Sequence, residues 1–335
     1  MACSIELLSR DNAHQWDDFN VRAPNGTIFH TLKWKQVLEE IFHLKLQYYL
    51  IRSEGEVVGI SPWLERSALN FRGLVSIPHA EENGIVLDEN TAGDHFGEIV
   101  SLFARNYSFL HFNMGNSIPL NGIGFAHEAH NDTGYMVADL RETPPEAIWA
   151  GFSKNTRFSI RAFENDGFTI RVIDRPDALD DFYRYYTQNL THIRGEILPL
   201  TFFQRLLELF PDQVRVTVLT RDDIFAGGSL ALIDPARRKF YGTYLAINRN
   251  LPNRYTPSYQ IMWESINWAW ENGYEQLFFG RQRVDPKNPR FHNKSRFGAR
   301  HLPIHSHLVL LSKPMLISYK IRNRLLGNRD AQVSL

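Results

Sequence analysis

The sequence predicts an α/β protein made of two related units, and three observations support this. Strand patterns and amphipathic helix patterns alternate along nearly all of its 335 residues. A strand–turn–strand pattern at residues 48–61 recurs at residues 216–229, which indicates that the two halves are related. Pro144 and Pro145 interrupt the chain between these halves. We therefore predict an N-terminal domain at residues 1–143, a C-terminal domain at residues 144–312 and a basic amphipathic tail at residues 313–335.

The first half is predicted to be rich in strands. Thr31 is the expected N-cap of its clearest helix, because a threonine hydroxyl can accept a hydrogen bond from the first turn. Gly55 lies in the tight turn between the first two strands. The predicted helices are 15–21, 31–42 and 94–105, and the predicted strands are 47–52, 56–64, 73–77, 84–87, 109–113 and 135–138.

The second half is predicted to form a mixed, mostly antiparallel sheet flanked by helices. A long helix at 145–165 opens it, because Pro145 suits a first turn and Gly167 suits a helix end. Another helix follows Thr256, and Gly273 suits its end. The other predicted helices are 177–191 and 201–209, and the predicted strands are 168–173, 214–219, 224–233, 240–247, 274–279 and 305–311.

Composition excludes several classes of protein. Lys plus Arg and Asp plus Glu each total 37, so a surface built as a whole for nucleic acid is not expected. Cys3 is the single cysteine and forms no intrachain disulfide, which favours a reducing cytoplasm. We find no signal-peptide pattern and no apolar run that could cross a bilayer. The sequence also lacks the GxSxG and Walker patterns of hydrolases and NTPases.

Two groups of basic residues are candidates for anion binding. Lys154, Arg157 and Arg161 share one face of the predicted 145–165 helix, where guanidinium groups could hold a phosphate. The alternative is an ordinary solvated helix face. The second group follows a buried aromatic strand, in a region predicted to be a loop, and such loops often carry binding sites. This second group comprises Arg281, Arg283, Lys287, Arg290, Lys294, Arg296 and Arg300.

Other residues admit both structural and functional interpretations. Tyr241 and Tyr244 lie on a predicted strand, where packing explains aromatic residues more often than chemistry does. His301, His305 and His307 suggest a metal, but Pro303 breaks any helical pairing and no cysteine or matched carboxylate accompanies them. We therefore predict no metal site. The tail from Lys313 to Arg329 combines cations with apolar residues, so it either rests on an anionic membrane or packs on the protein.

The order of many short motifs resembles the Fem-type (FemAB-like) branch of the GNAT acyltransferase superfamily, from about Trp16 to Gly298. The resemblance rests on five groups of residues: Phe29, His30, Thr31 and Trp34; Gly55, Val58, Gly59, Pro62, Ser76, Pro78, Gly84 and Asp88; Lys154, Arg157, Ile160, Arg161, Ala162 and Gly167; Phe182, Tyr183, Gly195, Pro199, Phe202 and Phe203; and Gly280, Arg281, Lys294, Phe297 and Gly298.

The resemblance implies two tandem GNAT-like domains and acyl transfer to an amine. Well-known family members move an aminoacyl group from aminoacyl-tRNA to a peptidoglycan precursor. The long helical arm of some tRNA-dependent members has no counterpart in this sequence. The resemblance assigns Lys294 to the developing negative charge, and Lys154, Arg157, Arg161, Arg281 and Trp34 to substrate binding. The general base is left open among water, Tyr241, Tyr244 and Asp285.

The resemblance also indicates where the donor binds. Arg249, Arg254 and Ser258 lie around the start of the helix after Thr256, where GNAT proteins hold the pyrophosphate of their donor and where backbone N–H groups favour an anion. The usual glycine-rich acetyl-CoA signature is absent there, since Leu251 to Tyr255 fill the position. We expect no tightly bound cofactor. The donor is aminoacyl-tRNA, acyl-CoA or an acyl carrier protein, so a tRNA or an acyl carrier is the expected partner.

The sequence therefore predicts an N-acyltransferase that acts on a cell-envelope or amino-sugar precursor. One alternative is an acetyltransferase that takes acyl-CoA or an acyl carrier as donor and a small amine as acceptor. Another alternative is a non-catalytic protein that binds an anionic glycan or a nucleotide. We expect a cytoplasmic protein, either free or in peripheral contact with the inner membrane face through the tail.

Overall fold

The computed structural model describes residues 3–88, 95–114, 123–285 and 287–325. The chain divides into a first unit, which ends at Thr133 and resumes at Pro303, and a second unit from Gly134 to Leu302. This division differs from the predicted boundaries after residues 143 and 312. The reason is strand pairing: Thr133–Asp139 pairs within the second sheet, and His305–Leu310 pairs within the first. Residues 326–335 of the predicted tail lie outside the described residues.

The first unit is built on a mixed sheet, eight-stranded as far as the chain is described. Phe71–Ser76 and Phe109–Met114 pair in parallel, and the other pairs in this sheet are antiparallel. The strands in spatial order are Cys3–Leu7, Leu46–Ser53, Glu56–Ala68, Phe71–Ser76, Phe109–Met114, His305–Leu310 and Ala126–His130, with Val86–Leu87 also on Glu56–Ala68. The helices are Ala13–Arg22, Leu32–Phe42, Phe96–Phe103 and Lys313–Leu325, and we call the last one the tail helix.

Local interactions explain where the elements of the first unit begin and turn. The Thr31 hydroxyl accepts a hydrogen bond from the Trp34 N–H at 3.2 Å, so the predicted N-cap is confirmed. Gly84 has a φ of +122°, and a Cβ there would lie 2.4 Å from the carbonyl oxygen of Asn113. Only glycine fits this close approach. An aromatic and aliphatic core that includes Phe112 packs between the sheet and Phe96–Phe103.

The second unit contains a sheet that is seven-stranded within the described residues. Its strands in spatial order are Arg300–Pro303, Thr133–Asp139, Gln276–Arg283, Lys239–Ile247, Ile224–Asp234, Val214–Arg221 and Thr169–Ile173. We call Lys239–Ile247 the bulged strand and Gln276–Arg283 the diverging strand. These two pair in parallel, whereas the meander that ends in the bulged strand is antiparallel. The predicted α/β fold with mixed, mostly antiparallel sheets is confirmed.

The helices of the second unit are Pro145–Gly151, Lys154–Asn165, Asp180–Ile193, Leu200–Leu209, Pro257–Glu271 and Pro289–Arg296. We call Lys154–Asn165 the basic helix and Pro257–Glu271 the central helix. In the described parts of the chain, no helix combines the length and the apolar character that crossing a bilayer requires.

Two predictions for the second unit are wrong in detail. The single helix predicted at 145–165 is two helices, because Ser153 is extended and its hydroxyl accepts a hydrogen bond from the Thr156 N–H at 3.2 Å. This N-cap starts a new helix. The basic loop predicted after Phe279 is instead the end of the diverging strand, the helix Pro289–Arg296 and the strand Arg300–Pro303. The Asn288 side chain caps that helix, and Pro289 occupies its first turn.

Candidate active site

The bulged strand and the diverging strand begin as a parallel pair and then part. Their pairing ends at Tyr241 and Phe278. Directly afterwards, the register between the bulged strand and Ile224–Asp234 shifts, so that Gly242 and Thr243 oppose a single residue. This is a β-bulge, a feature over-represented beside active sites because it redirects main-chain and side-chain groups. The sheet therefore changes its geometry at the point where two central strands separate.

Asn189 lies at the edge of the bulged strand. The Asn248 N–H donates to the Ala226 carbonyl at 3.1 Å, so Asn248 points its main-chain groups toward Ile224–Asp234. Successive residues of an antiparallel strand point these groups alternately toward and away from the partner strand. The Leu245 carbonyl, three residues earlier, therefore points away from Ile224–Asp234. Asn189 Nδ2 donates to this Leu245 carbonyl oxygen at 3.1 Å. The helix Asp180–Ile193 thus covers part of the strand edge that faces away from the meander.

The same asparagine orients a candidate donor-binding residue. Asn189 Oδ1 accepts hydrogen bonds from Arg249 Nε at 3.2 Å and from Arg249 Nη2 at 2.8 Å. Asn189 is 6% exposed, whereas Arg249 is exposed. A buried amide therefore holds an exposed cation at the end of the bulged strand. Asn189 is not among the residues predicted from the sequence, although a polar residue on the buried helix face that carries Phe182 and Tyr186 was an available signal.

The two predicted tyrosines lie on one face of the sheet and are both buried. The ring centres of Tyr241 and Phe278 are 4.8 Å apart. Tyr244 contacts Phe202 and Phe203, with ring centres 5.8 and 5.3 Å apart. In a regular strand, residues three apart point to opposite faces of the sheet. The extra residue of the bulge brings both tyrosines to the same face. Both side chains pack in the core, and their role as a general base stays a prediction.

Arg281 is brought close to this aromatic group by the local backbone. Gly280 has a φ of +80°, which breaks the alternation of the diverging strand and is readily adopted only by glycine. The Arg281 guanidinium lies 5.7 Å from the ring centre of Tyr135. The ring centre of Tyr135 in turn lies 5.7 Å from that of Phe278. Phe278 pairs with Tyr241 where the bulged and diverging strands separate. Of the predicted substrate-binding cations, Arg281 is thus connected to the bulge through aromatic contacts.

Two of the three predicted cations of the basic helix contact Trp149. Arg157 Nη1 donates to the carbonyl oxygens of Trp149 at 3.3 Å and Ala150 at 3.4 Å, which caps the preceding helix. The Arg161 guanidinium lies 5.3 Å from the ring centre of Trp149. Lys154 is exposed at the start of the same helix. The stripe predicted from spacing therefore exists, and Arg157 also has a structural role that spacing could not reveal.

The helix Pro289–Arg296 brings further predicted cations to the central helix. Arg296 Nη1 donates to the Tyr259 hydroxyl at 2.6 Å, and this hydroxyl donates to Asn293 Oδ1 at 3.2 Å. Phe297 is fully buried against Tyr259, with ring centres 5.6 Å apart. Lys294 is half-buried on this helix. The helix is therefore held by contacts on either side of Lys294.

A chain of contacting aromatic rings connects these two groups of cations into one surface of the second unit. The Trp149 ring lies 5.0 Å from that of Trp263, which in turn contacts Phe152. Phe152 contacts Phe297 at 4.8 Å, and Phe297 contacts Tyr259. Half-buried aromatic rings with adjacent guanidinium groups can stack a planar ring and bind a phosphate. We define the basic aromatic surface as Trp149, Arg157, Arg161, Tyr259, Trp263 and Arg296.

The remaining predicted donor-binding residues lie near the start of the central helix. Arg254 Nη2 lies 3.0 Å from Asp166 Oδ2, which also accepts a short hydrogen bond from the Tyr255 hydroxyl. Ser258 is half-exposed in the first turn, and Thr256, the N-cap residue, makes no side-chain capping bond. Arg254 therefore already neutralises a carboxylate, whereas the first turn presents helix N–H groups.

Asp285 and Trp34 lie outside the arrangements described so far. Asp285 is exposed, and its Oδ1 accepts a hydrogen bond from the Lys287 N–H at 3.0 Å, which stabilises a turn. Trp34 is fully buried in the first unit, edge-on to Phe29 with ring centres 5.0 Å apart. Their predicted functional roles stay predictions, and the geometry gives both residues a structural explanation.

One group of metal-ligand type was not anticipated. Cys3, His95 and Glu98 place three potential ligand atoms within 4.8 Å of one another, the only such group among the described residues. The Glu98 carboxylate already accepts hydrogen bonds from the Cys3 N–H and the His95 ring, at 2.8 and 3.3 Å. Burial and the neighbouring Glu98 also raise the pKa of the Cys3 thiol, which opposes the thiolate a metal needs. The hydrogen bonds explain the group without a metal.

Comparisons with known proteins agree with the fold described above. Residues 150–288 match the acetyltransferase (GNAT) domain. The fold is similar to the crystal structure of FemX, with a TM-score of 0.68 and 11% identity over 94% of this chain and 99% of that one. A tandem GNAT protein from the clavulanic acid biosynthesis pathway gives a TM-score of 0.57 and 10% identity, over 92% and 98% of the two chains. L-PGS from Bacillus licheniformis gives 0.51 and 13%, over 89% and 97%.

The chain is an acyltransferase, and the matched acetyltransferase (GNAT) domain lies within its second unit. Its structure is the tandem GNAT fold, and the predicted resemblance to the Fem-type branch is confirmed at the level of the fold. A comparison with curated proteins gives no match. At 10–13% identity these structural similarities establish the fold alone.

Proposed function

We propose that this protein is an N-acyltransferase that transfers an aminoacyl or acyl group to an amine of a cell-envelope or amino-sugar precursor. The observation that carries the proposal is the β-bulge at Gly242 and Thr243, where the bulged and diverging strands part. Attack by an amine places negative charge on the donor carbonyl oxygen, and main-chain N–H groups are effective donors to such an oxyanion. A bulge redirects main-chain groups, and this one lies where the two strands have opened.

Phosphate binding supports the choice of donor. Aminoacyl-tRNA, acyl-CoA and the prosthetic arm of an acyl carrier protein all carry phosphate groups. In aminoacyl-tRNA a phosphodiester adjoins the acylated nucleotide, whereas in the other two donors the phosphate lies at the far end of the pantetheine arm from the acyl group. Arg249, oriented by Asn189, and the first turn of the central helix at Ser258 are suited to hold it. No tightly bound cofactor is needed for this chemistry.

Aminoacyl-tRNA and acyl-CoA differ in whether they would pair with the edge of the bulged strand at Leu245. The arm of CoA contains two amides, which are natural partners for an open edge of a β-strand. Asn189 already occupies the Leu245 carbonyl at this edge. That contact favours aminoacyl-tRNA, whereas the match to an acetyltransferase domain favours acyl-CoA as the second candidate.

The basic aromatic surface supports a phosphorylated acceptor. Trp149 and Tyr259 offer rings for stacking, and Arg161 and Arg296 offer guanidinium groups for phosphate. A UDP-sugar, which carries both a planar base and a pyrophosphate, has this chemistry. Lys294 would stabilise the negative charge that develops during transfer. A cytoplasmic protein in peripheral contact with the inner membrane face would meet such a precursor where envelope intermediates are assembled.

A thermal-shift panel tests the assignment. Wild type and Arg157→Ala are measured with UDP-sugars, acyl-CoAs and aminoacyl-tRNA analogues, and the shift on adding ligand is compared, because Arg157 also caps a helix. At a hundredfold excess over Kd, a ligand stabilises the native state by about 2.7 kcal/mol. We expect a UDP-sugar shift in wild type that is lost in Arg157→Ala and kept in Arg175→Ala, an exposed control in the same unit. A shift with acyl-CoA alone, unchanged in Arg157→Ala, would overturn the acceptor assignment.

Lys294→Ala separates the enzyme from the non-catalytic binder. An enzyme loses turnover and keeps most of its ligand affinity, because Lys294 acts on charge that appears in the transition state. His292→Ala, at an exposed position of the same helix, is the control. Binding of a nucleotide or glycan by a wild type without turnover on any donor of the panel would assign the binding class instead.

A further inference from the structure

The tail helix has one face fixed on the first unit. Met315 is buried, and Leu316 and Tyr319 pack with it against a cluster that includes Phe109 and Leu310. The Tyr319 hydroxyl donates to Glu128 Oε2 at 2.7 Å. The helix is therefore held in a defined orientation on the first sheet, which decides which residues it turns outward.

The outward face carries a ridge of large apolar side chains. Ile317, Ile321 and Leu325 are 59%, 53% and 82% exposed. They occur at every fourth residue, so they lie above one another on successive turns of the helix. Exposed aliphatic side chains are unremarkable when scattered, but three in a continuous row indicate a surface that is covered in some state of the protein.

Cations border this ridge. Lys320 follows Ile317 by three residues and Arg324 follows Ile321 by three, so both flank the ridge on the same side. Lys313 and Arg322 are exposed on the same helix. The sequence from Lys313 to Leu325 contains no aspartate or glutamate. The outward face is thus apolar along its centre and positive at its margins.

We propose that the tail helix docks the first unit on a bilayer that contains anionic phospholipids. The apolar ridge enters the boundary between headgroups and acyl chains, and the flanking cations bind lipid phosphates. At 13 residues the helix is about 20 Å long, so it lies in the plane of the interface rather than across the bilayer. The inference deepens the proposed membrane contact by naming the side chains that make it, and it holds whichever donor the transfer reaction uses.

A lipid surface fits this face better than a protein or a nucleic acid does. A stable protein interface buries about 800 Å² on each partner, more than a ridge of three side chains supplies. Single-stranded nucleic acid is bound by aromatic rings that stack on bases, and the ridge is aliphatic. Aliphatic residues flanked by lysine and arginine are instead the composition of helices that lie on anionic membranes.

Co-sedimentation of the full chain with vesicles tests the proposal. We expect binding to vesicles of equal parts phosphatidylglycerol and phosphatidylcholine, little binding to phosphatidylcholine alone, and weakening by salt. The doubly substituted Ile317→Ser, Ile321→Ser should weaken binding by at least about tenfold. Lys320→Gln with Arg324→Gln should weaken it about fivefold per charge. Arg175→Gln with Arg184→Gln removes the same charge from exposed positions of the second unit and should change binding little.

The outcomes are distinguishable from failure of the transfer reaction, because vesicle binding is measured without donor or acceptor. All substituted side chains are exposed, and circular dichroism with thermal melts checks that the variants fold. Equal binding of wild type and the two tail-helix variants, or no binding of wild type, would overturn the proposal. A wild-type dimer in light scattering that Ile317→Ser, Ile321→Ser dissociates would also overturn it and assign the ridge to a second copy of the chain.

Discussion

Replacing Asn189 tests the geometry of the strand edge. Asn189→Ala removes the hydrogen bond to the Leu245 carbonyl and both hydrogen bonds from Arg249. The carbonyl lies on a half-buried residue, and a buried group left without a partner costs about 1–3 kcal/mol. The exposed Arg249 regains water, so its two bonds add less. We therefore expect the free energy of unfolding to fall by about 2 kcal/mol.

Two further variants separate the roles of this asparagine. Asn189→Asp keeps an oxygen for Arg249 but cannot donate to the Leu245 carbonyl, so it should lose most of the stability lost in Asn189→Ala. Arg249→Ala keeps the bond to Leu245 and should cost less than about 1 kcal/mol, as exposed polar contacts usually do. Urea denaturation followed by circular dichroism measures all three, with Asn272→Ala as an exposed control. If Asn189→Asp were as stable as wild type, the contact with the strand edge would be unimportant and our account of the edge would be wrong.

Three further predictions concern stability. Arg215 Nη2 lies 2.6 Å from Glu264 Oε1, and the two side chains are only 10% and 13% exposed. Arg215→Ala should therefore lower the free energy of unfolding, measured by chemical denaturation, by about 3–5 kcal/mol. Arg141→Ala, which breaks an ion pair at the surface, should lower it by less than about 1 kcal/mol. Gly84→Ala should lower the free energy of unfolding by well over the roughly 1 kcal/mol that a positive φ alone costs, because the added Cβ meets a carbonyl oxygen. Gly55→Ala is the control, since Gly55 has a φ of +89° but open space around it. Equal melting temperatures of the two variants would contradict this prediction. Burial, with His305 and His127 nearby, lowers the pKa of His307 to about 4. The folded state thus keeps this imidazole neutral while the unfolded chain protonates near pH 6.5, so unfolding free energy should fall by up to about 3 kcal/mol between pH 6.5 and 4, and His307→Phe should remove this dependence in a pH series of melts.

The sequence predicted the class of elements well where the signal is local. Thr31 is an N-cap because a hydroxyl before an amphipathic run is sufficient to start a helix. The meander and the central helix follow from hydrophobic periodicity in the same way. The single helix predicted at 145–165 was wrong although the signal for its break is equally local, since a serine after Gly151 can end one helix and begin another. That error came from weighing apolar spacing above a capping residue.

The site was less accessible to sequence reasoning because it depends on pairing between distant residues. The bulge at Gly242 is defined by register with Ile224–Asp234, and nothing in the local sequence fixes that register. Arg157 and Arg161 were found by spacing, yet their contacts with Trp149 required knowledge that the helix breaks at Ser153. Asn189 acts through a carbonyl more than fifty residues away. These features emerge only once tertiary contacts are known.

The return of the chain to the first unit after Leu302 has a consequence for biosynthesis. His305–Leu310 is an interior strand of the first sheet, between Phe109–Met114 and Ala126–His130. When the chain has emerged from the ribosome only as far as Leu302, every residue of the second unit is outside, yet the first sheet still lacks this interior strand. Domains generally fold as units during synthesis. The second unit can therefore finish folding first, while the first unit waits for residues 303–325 to emerge from the ribosome.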